Sequence, residues 1–247
     1  MKKNLLWPVL LIFLSAFLFP KKTITVYMIG DSTMANKPVE DNPERGWGMM
    51  LQDFFDSSVI IENHAMNGRS TRSFLNENRW QPIVDKLKKG DYVIIQFGHN
   101  DESKNKKGRY TTPEEFRQNI VRYVNETRSR KALPILCTPL MRRRFNDNGE
   151  FYDTHGVYPN VVRNVADSMK VPLVDLHRKS EKLICELGPE GSKKMFLFVE
   201  PGIYTSLPDG REDNTHFSEW GACKVACLFV EGIFEQKLSL RKRLKEQ

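Results

Sequence analysis

The chain has 247 residues, of which 40% are hydrophobic and 28% are charged. These values are ordinary for a soluble globular protein, and the length suits one large domain or two small ones. The formal net charge of +7 lies mostly at the ends, since Lys2 and Lys3 contribute +2 and residues 237–247 contribute +4, which leaves +1 for the body. This balance gives no reason to expect a nucleic-acid partner.

The N-terminal segment has the pattern of a secretory signal peptide. Met1–Lys3 is basic, residues 5–19 are almost all apolar, and Pro20 ends the apolar run. The run is short for a membrane span, which needs about 20 apolar residues. We therefore predict that residues 1–22 are a signal peptide, with an uncleaved anchor as the alternative. The protein is then expected to be exported to the periplasm or the cell exterior.

Strands and helices alternate along the rest of the chain. Apolar and β-branched runs predict strands at 24–29, 59–61, 92–97, 134–137 and 171–175. Apolar residues at helical spacing predict helices at 49–55, 80–88, 112–130, 158–169, 176–187 and 218–236. Residues 188–211 are predicted to be irregular. The clearest helix start is at Thr112, which forms a capping box with Glu115 around a proline at the first helical position.

This alternation predicts one α/β domain with a parallel sheet and right-handed crossovers, over residues 23–236. The last segment, 237–247, is a basic tail that we interpret as the solvated end of the last helix. No Cys-x-x-Cys pair or Cys/His cluster occurs, so we expect no structural metal site.

Polar clusters follow three of the predicted strands. They are GDS at 30–32, NG at 67–68 and GHND at 98–101. Because the carboxyl ends of parallel strands meet at one edge of a sheet, these clusters should lie close together. A fourth cluster, DNTH at 213–216, precedes the last helix. Each cluster taken alone also fits an ordinary turn.

Together the clusters contain the groups of a serine nucleophile and its partners. Asp213 and His216 are three residues apart, so the carboxylate can bind the imidazole Nδ1 and leave Nε2 free to take a proton from Ser32. The Ser32 amide, the Gly68 amide and the Asn100 side chain are three possible donors to a developing oxyanion. His99 is the other candidate base, and we interpret it as orienting Asn100 or the backbone.

The four clusters resemble the four sequence blocks of the SGNH (GDSL) hydrolases, over roughly residues 24–234. The strings GDST, NGRS and QFGHND, with GWG at 46–48, are most similar to the rhamnogalacturonan acetylesterase branch. The resemblance implies a three-layer α/β/α domain with a parallel flavodoxin-like sheet. It also implies Ser32 as nucleophile, Asp213 and His216 as its triad partners, and an oxyanion hole of Ser32, Gly68 and Asn100.

The leading hypothesis is therefore a serine esterase that removes acetyl groups from a polysaccharide through an acyl-enzyme, without a cofactor or a metal. The resemblance implies acetylated rhamnogalacturonan or pectin as the substrate. Two alternatives remain open: a lipase or lysophospholipase of the same superfamily, and a non-catalytic glycan-binding protein on the same fold.

Charge gives a second reason to expect an acidic polysaccharide. Arg69 and Arg72 follow the oxyanion glycine, and residues 142–144 are three further arginines after another strand. If they line the cleft, they can pair with galacturonate carboxylates. The alternative is that they face solvent or pair with the protein's own acids. Arg69 and His99 are the predicted substrate-binding residues, and the sequence gives no sign of a stable protein partner.

Overall fold

The computed structural model describes residues 21–245, so the predicted signal peptide lies almost entirely outside the described residues. The strands within this range are β1 (Ile24–Gly30), β2 (Val59–Asn63), β3 (Tyr92–Gln96), β4 (Leu133–Cys137), β5 (Leu173–Val174), β6 (Phe196–Val199) and β7 (Arg211–Phe217). The α-helices are α1 (Thr71–Asn76), α2 (Gln81–Lys86), α3 (Pro113–Ser129), α4 (Tyr158–Met169), α5 (Leu176–Gly191) and α6 (Glu219–Glu235). Short 3-10 helices are formed by Trp47–Phe54, Ser192–Met195 and Ser239–Arg243.

Strands β1 to β5 form one parallel sheet in the order β2-β1-β3-β4-β5. Helices α1 to α4 cover one face, where Phe74, Phe116 and Tyr123 are buried. The first 3-10 helix, α5 and α6 cover the other, where Trp47 and Phe229 are buried. Covering both faces explains why all five residues of β3 are buried. The predicted three-layer α/β/α fold is confirmed.

The strand order creates a crevice next to β1. The chain moves from β1 outward to β2 and then returns to the opposite side of β1 to form β3. The connection that leaves β1 and the connection that leaves β3 therefore run in opposite directions across the sheet, which leaves an opening at the carboxyl end of β1. Ser32 lies two residues beyond the end of β1, at this opening.

Several helix boundaries follow from the sequence and one helix was missed. The Thr112 capping box is present, with Thr112 and Glu115 each bonding the other's backbone amide. The unpredicted helix α1 begins at a second capping box, between Ser70 and Ser73. Its six residues are fewer than two turns, too short for an apolar period to stand out.

The prediction that residues 188–211 are irregular is wrong in part. Residues 196–199 form β6, which pairs antiparallel with β7. Sequence reasoning missed this two-stranded sheet because β7 reads REDNTHF, with no alternation of apolar residues. Residues 213–216, which were predicted to form a turn, lie at a bulge in β7. Leu197 pairs with Asp213 while the preceding Phe196 pairs with Phe217, so three residues of β7 bulge out between them.

The described part of the basic tail is packed on the domain, which contradicts its interpretation as a solvated helix end. Leu240 is fully buried in its 3-10 helix. The Arg243 guanidinium donates to the Ser58 hydroxyl at 2.7 Å, and the Lys245 amide donates to the Phe54 carbonyl at 2.9 Å. Between residues 21 and 245, no helix has both the length and the hydropathy that crossing a bilayer requires.

Candidate active site

The turn after β1 is fixed by the buried Asp31. Its Oδ1 accepts hydrogen bonds from the Thr33 amide at 3.0 Å and the Thr33 hydroxyl at 2.8 Å. Its carbonyl accepts from the Met34 and Ala35 amides. Asp31 is thereby turned into the protein and the next residue, Ser32, is left half-buried at the surface.

Ser32, His216 and Asp213 form a continuous hydrogen-bonded chain. His216 Nε2 lies 2.9 Å from Ser32 Oγ, and His216 Nδ1 lies 2.7 Å from Asp213 Oδ2. Asp213 Oδ1 accepts from the amides of Thr215 and His216. Although burial acts in the opposite direction, these hydrogen bonds hold the pKa of Asp213 well below its usual range. An ionised Asp213 keeps the proton on Nδ1, so that Nε2 faces the serine as an acceptor.

Arg143 holds the bulge that carries this pair. Its amide donates to the Asn214 carbonyl at 2.8 Å, and its Nη1 donates to Asn214 Oδ1 at 2.7 Å. The guanidinium also lies 5.2 Å from the centre of the Phe198 ring on β6. Arg143 therefore positions the His216 loop, a role that the sequence did not predict.

The loops after β1, β2 and β3 meet, as the sequence predicted. The Met66 amide donates to the Gly30 carbonyl at 3.1 Å, and Asn100 Nδ2 donates to the Arg69 carbonyl at 3.1 Å. Gly68 lies between these two contacts and has a φ of +74°, which favours glycine. Within residues 21–245 the amides of Ser32 and Gly68 have no acceptor, so both remain available as donors.

A buried carboxylate joins two of these loops. Asp101 Oδ1 accepts from the Thr71 amide at 3.0 Å, the Thr71 hydroxyl at 2.5 Å and the Thr111 hydroxyl at 2.9 Å. Burial outweighs these hydrogen bonds and raises the pKa of Asp101 to about 7. Asp101 thus fixes the distance between the Gly68 loop and Asn100.

His99 forms the second aspartate–histidine pair of the site. Its Nδ1 lies 3.3 Å from Asp31 Oδ2, and its ring is buried. Burial lowers the pKa of His99 to about 4, so the neutral ring donates Nδ1–H to Asp31. His99 therefore orients the nucleophile turn through the Asp31 side chain, and not Asn100 or the backbone as predicted. The residue is only 6% exposed, which leaves little surface for the predicted substrate contact.

Every histidine in the chain contacts a carboxylate. Besides the two pairs above, His64 lies 3.1 Å from Glu62, His155 lies 2.8 Å from Glu102 and His177 lies 3.1 Å from Asp153. The last two contacts join residues far apart in the chain, so they are made by the fold rather than by a local motif. Among the residues from 21 to 245, only His216 contacts both a carboxylate and a serine hydroxyl through its ring, and the contact with the serine distinguishes it from the other four histidines.

The GWG string at residues 46–48 stabilises the nucleophile turn through hydrogen bonds and close packing. Trp47 Nε1 donates to Gln96 Oε1 at 2.7 Å, and Gln96 Nε2 donates to the Thr33 hydroxyl at 3.0 Å. Gly46 is required because a Cβ there would lie 2.0 Å from the Ala35 carbonyl oxygen. Gln96 is a positioning residue that sequence reasoning missed, although it falls within the QFGHND string.

The arginines predicted to bind substrate mostly pair with the protein's own acids. Arg69 lies 3.0 Å from Glu77, Arg72 lies 2.5 Å from Glu115 and Arg142 lies 2.5 Å from Glu102. Arg143 is committed to the bulge at residues 214–216. The alternative that these arginines pair with the protein's own acids therefore holds for Arg69, Arg72 and Arg142.

No group of histidine, cysteine, aspartate and glutamate side chains within residues 21–245 is arranged to hold a metal ion. An apolar cavity of about 590 Å³ lies elsewhere, between the first 3-10 helix, α6 and the tail. Its lining includes Met50, Phe54, Val230 and Phe234 but none of the three hydrogen-bonded site residues.

A flavodoxin-like fold with a serine, a histidine and an aspartate in triad geometry at its crevice defines a serine-type ester hydrolase. The chain belongs to the GDSL-like Lipase/Acylhydrolase family, whose model matches residues 28–221. It is a carboxylic ester hydrolase.

Relatives within this family cover nearly the whole chain. Rhamnogalacturonan acetylesterase RhgT of Bacillus subtilis (strain 168) is 41% identical, over 91% of this chain and 95% of its own length. The probable rhamnogalacturonan acetylesterase YesY of the same organism is 34% identical, over 87% and 94%. The crystal structure of protein YxiM from Bacillus subtilis superposes with a TM-score of 0.75 at 26% identity, over 89% of this chain and 58% of that chain.

Proposed function

We propose that the protein is a polysaccharide acetylesterase whose substrate is acetylated rhamnogalacturonan. The observation that carries the proposal is the 2.9 Å contact between Ser32 and a His216 held by Asp213. The 41% identity to a rhamnogalacturonan acetylesterase over almost the full length of both chains supports the choice of substrate.

In the first half of the reaction, Ser32 Oγ attacks the acetyl carbonyl while His216 Nε2 takes the hydroxyl proton. Asp213 stabilises the imidazolium that forms, because its carboxylate accepts the Nδ1–H bond. His216 then gives the proton to the departing sugar oxygen, and the acetyl group stays on Ser32. In the second half, His216 takes a proton from the water that attacks the acetyl-serine. It then gives this proton to Ser32 Oγ as the acyl–oxygen bond breaks and acetate is released.

The negative oxygen of each tetrahedral intermediate is placed against three donors: the amides of Ser32 and Gly68 and the second hydrogen of Asn100 Nδ2. Two of these donors have no other acceptor within the described chain, and the third has one hydrogen to spare. Preorganised donors of this type contribute about 10²- to 10³-fold each to the rate constant.

None of these steps uses a metal or a cofactor. Hydrolysis should therefore proceed at the same rate after exhaustive dialysis against EDTA. Loss of activity on chelation, with recovery on adding a divalent ion, would contradict this mechanism.

A lipase or lysophospholipase is the second candidate of the same family. Such an enzyme needs an apolar groove beside the nucleophile to bind an acyl chain. Here the apolar cavity of about 590 Å³ is lined by residues other than Ser32, and the loop containing Gly68 carries Asn67 and Arg69. A non-catalytic glycan-binding protein is the third candidate, but it would have no need for an intact hydrogen-bonded triad.

Two comparisons test the proposal. Acetate release from acetylated rhamnogalacturonan should exceed release from acetylated xylan at matched acetyl content, and p-nitrophenyl acetate should be hydrolysed faster than p-nitrophenyl octanoate. A preference for octanoate would favour the lipase. No hydrolysis of either aryl ester or either polymer would favour the glycan-binding protein.

We also propose export of the protein through the predicted signal peptide, since a plant polysaccharide reaches a cell from outside. N-terminal sequencing of the protein recovered from the culture medium or periplasm should find a start close to residue 22. Retention of the full-length chain in the cell membrane would favour the uncleaved anchor.

A further inference from the structure

One arginine that the sequence did not single out lies directly on the oxyanion glycine. A Cβ added to Gly68 would lie 3.0 Å from Nη1 of Arg109 and 3.1 Å from both its Cζ and its Nη2. Three nearly equal distances mean that the flat face of the guanidinium covers the side of Gly68 from which a Cβ would project. The N–H groups of a guanidinium lie in its plane, so here they point away from Gly68 rather than at it.

The in-plane donors of Arg109 have no acceptor within residues 21–245. The nearby arginines differ, because Arg69, Arg72 and Arg142 each contact a glutamate at 2.5 to 3.0 Å. The acids on both sides of Arg109 in the chain are also occupied: Asp101 accepts from two threonines, Glu102 contacts Arg142 and His155, Glu114 contacts Arg117, and Glu115 contacts Arg72. The protein therefore holds a half-buried cation beside its reaction centre without neutralising it.

The position of Arg109 is fixed by the backbone around it. The Arg109 amide donates to the Lys106 carbonyl at 3.0 Å. Two residues later, the Thr111 hydroxyl donates to the buried Asp101 carboxylate at 2.9 Å, and the Thr111 amide donates to the Asp101 carbonyl at 2.9 Å. The same carboxylate holds Thr71 at the end of the Gly68 loop. Arg109 and Gly68 are thus anchored to one buried group, so their contact is set by the fold.

We infer that Arg109 is a substrate-binding residue that receives a carboxylate of the polysaccharide on the Gly68 side of the acetyl ester. A planar guanidinium fork matches a carboxylate with two parallel hydrogen bonds, and desolvation by Gly68 on one face strengthens them. This inference rests on the proposed function. It assigns recognition of a uronic acid to Arg109, because the other arginines near the site already pair with groups of the protein.

The inference is tested by the specificity of variants. The substrates are acetylated rhamnogalacturonan and the same polymer after its uronic acids have been reduced to neutral sugars and the acetyl content has been restored. The quantity compared is the ratio of kcat/KM on the acidic polymer to kcat/KM on the neutral one. The variants are Arg109→Gln, Arg109→Lys and, as a control for the loss of one positive charge on the same loop, Lys106→Gln.

Arg109→Gln should lower this ratio by about tenfold or more, through KM on the acidic polymer, since a charge-assisted bidentate pair is lost. Arg109→Lys keeps the charge without the fork and should give an intermediate ratio. Lys106→Gln should keep the wild-type ratio within about twofold, because Lys106 is exposed and the atoms nearest to a Cβ at Gly68 all belong to Arg109. If Arg109→Gln does not fold, as judged by thermal unfolding, the lysine variant carries the test.

The two proposals fail in different experiments. A wild-type enzyme that releases no acetate from either polymer overturns the proposed function and this inference with it. A wild-type enzyme that is active on both polymers at equal kcat/KM overturns the inference alone. So does an Arg109→Gln variant with the wild-type ratio, or a Lys106→Gln variant with the same loss as Arg109→Gln.

Discussion

Two aspartate–histidine pairs lie on either side of Ser32, and they differ in burial. In the Asp213–His216 pair the side chains are 14% and 24% exposed and the contact is 2.7 Å. In the Asp31–His99 pair they are 0% and 5% exposed and the contact is 3.3 Å. Asp31 immediately precedes Ser32 in the chain, while Asp213 lies in a different sheet.

This difference in burial corresponds to a difference in role, because His216 takes part in the reaction and His99 supports the nucleophile turn. His216 has its second nitrogen on the serine and enough exposure to meet a substrate and a water. His99 has its second nitrogen, Nε2, buried without a hydrogen-bond partner among residues 21–245. A histidine beside an aspartate is therefore not enough to make a base, because the other nitrogen must also reach the nucleophile.

The largest loss of activity is expected from Ser32→Ala, which removes the hydroxyl that His216 contacts. We expect a loss in kcat of about 10⁴-fold or more on p-nitrophenyl acetate, with no change in the thermal unfolding midpoint. Ser129→Ala, at the surface end of α3, is the matched control. Turnover by Ser32→Ala at the wild-type rate would remove the mechanism.

His216→Ala should be nearly as damaging, about 10⁴-fold in kcat, because the serine proton then has no acceptor. The matched control is His64→Gln, which removes a histidine–carboxylate contact outside the triad and should keep most of the activity. A larger loss of activity in His99→Ala than in His216→Ala would contradict this assignment, because it would identify His99 as the base.

Asp213→Ala should be less harmful than His216→Ala, with a loss in kcat of about 10³- to 10⁴-fold, because the base is still present but not oriented. Asp167→Ala, which removes an exposed carboxylate from α4, is the control. A loss below tenfold in Asp213→Ala would show that Asp213 does not orient the base.

The buried Asp31–His99 pair should affect the pH dependence of the free energy of unfolding rather than the rate of the reaction. The pKa of His99 is about 4 in the folded protein, against 6.5 for an exposed histidine. As the pH falls below 6.5 the unfolded chain binds a proton that the folded protein refuses, so stability is lost down to pH 4, by up to about 3 kcal/mol. Urea unfolding at pH 7 and pH 4.5 should show a smaller acid loss in His99→Gln than in the wild type. Equal losses would contradict a neutral buried His99.

Sequence reasoning found the parts of the site that lie at fixed places along the chain. Parallel strands place their carboxyl ends at one edge, so the clusters containing Ser32, Gly68 and Asn100 could be brought together without a structure. The spacing of Asp213 and His216 gave the second half of the site. The capping box at Thr112 predicted the start of α3 in the same local way.

Side-chain contacts between residues that are far apart in the chain could not be predicted from the sequence. His99 meets Asp31 across 68 positions, and Arg142 meets Glu102 across 40. Composition cannot tell which acid an arginine will pair with, so the sequence left open whether these arginines line the cleft or pair with the protein's own acids. Arg109 was missed for the same reason, since its position depends on the open face of Gly68.

The most direct test of the account is to trap the acyl group during turnover. The enzyme is mixed with p-nitrophenyl acetate, quenched in acid within the first turnovers and digested, and the peptides are analysed by mass spectrometry. We expect one added acetyl group on Ser32, present in the wild type and absent from Ser32→Ala and His216→Ala. Rapid hydrolysis by the wild type, with the acetyl group found on another residue and retained in Ser32→Ala, would contradict it.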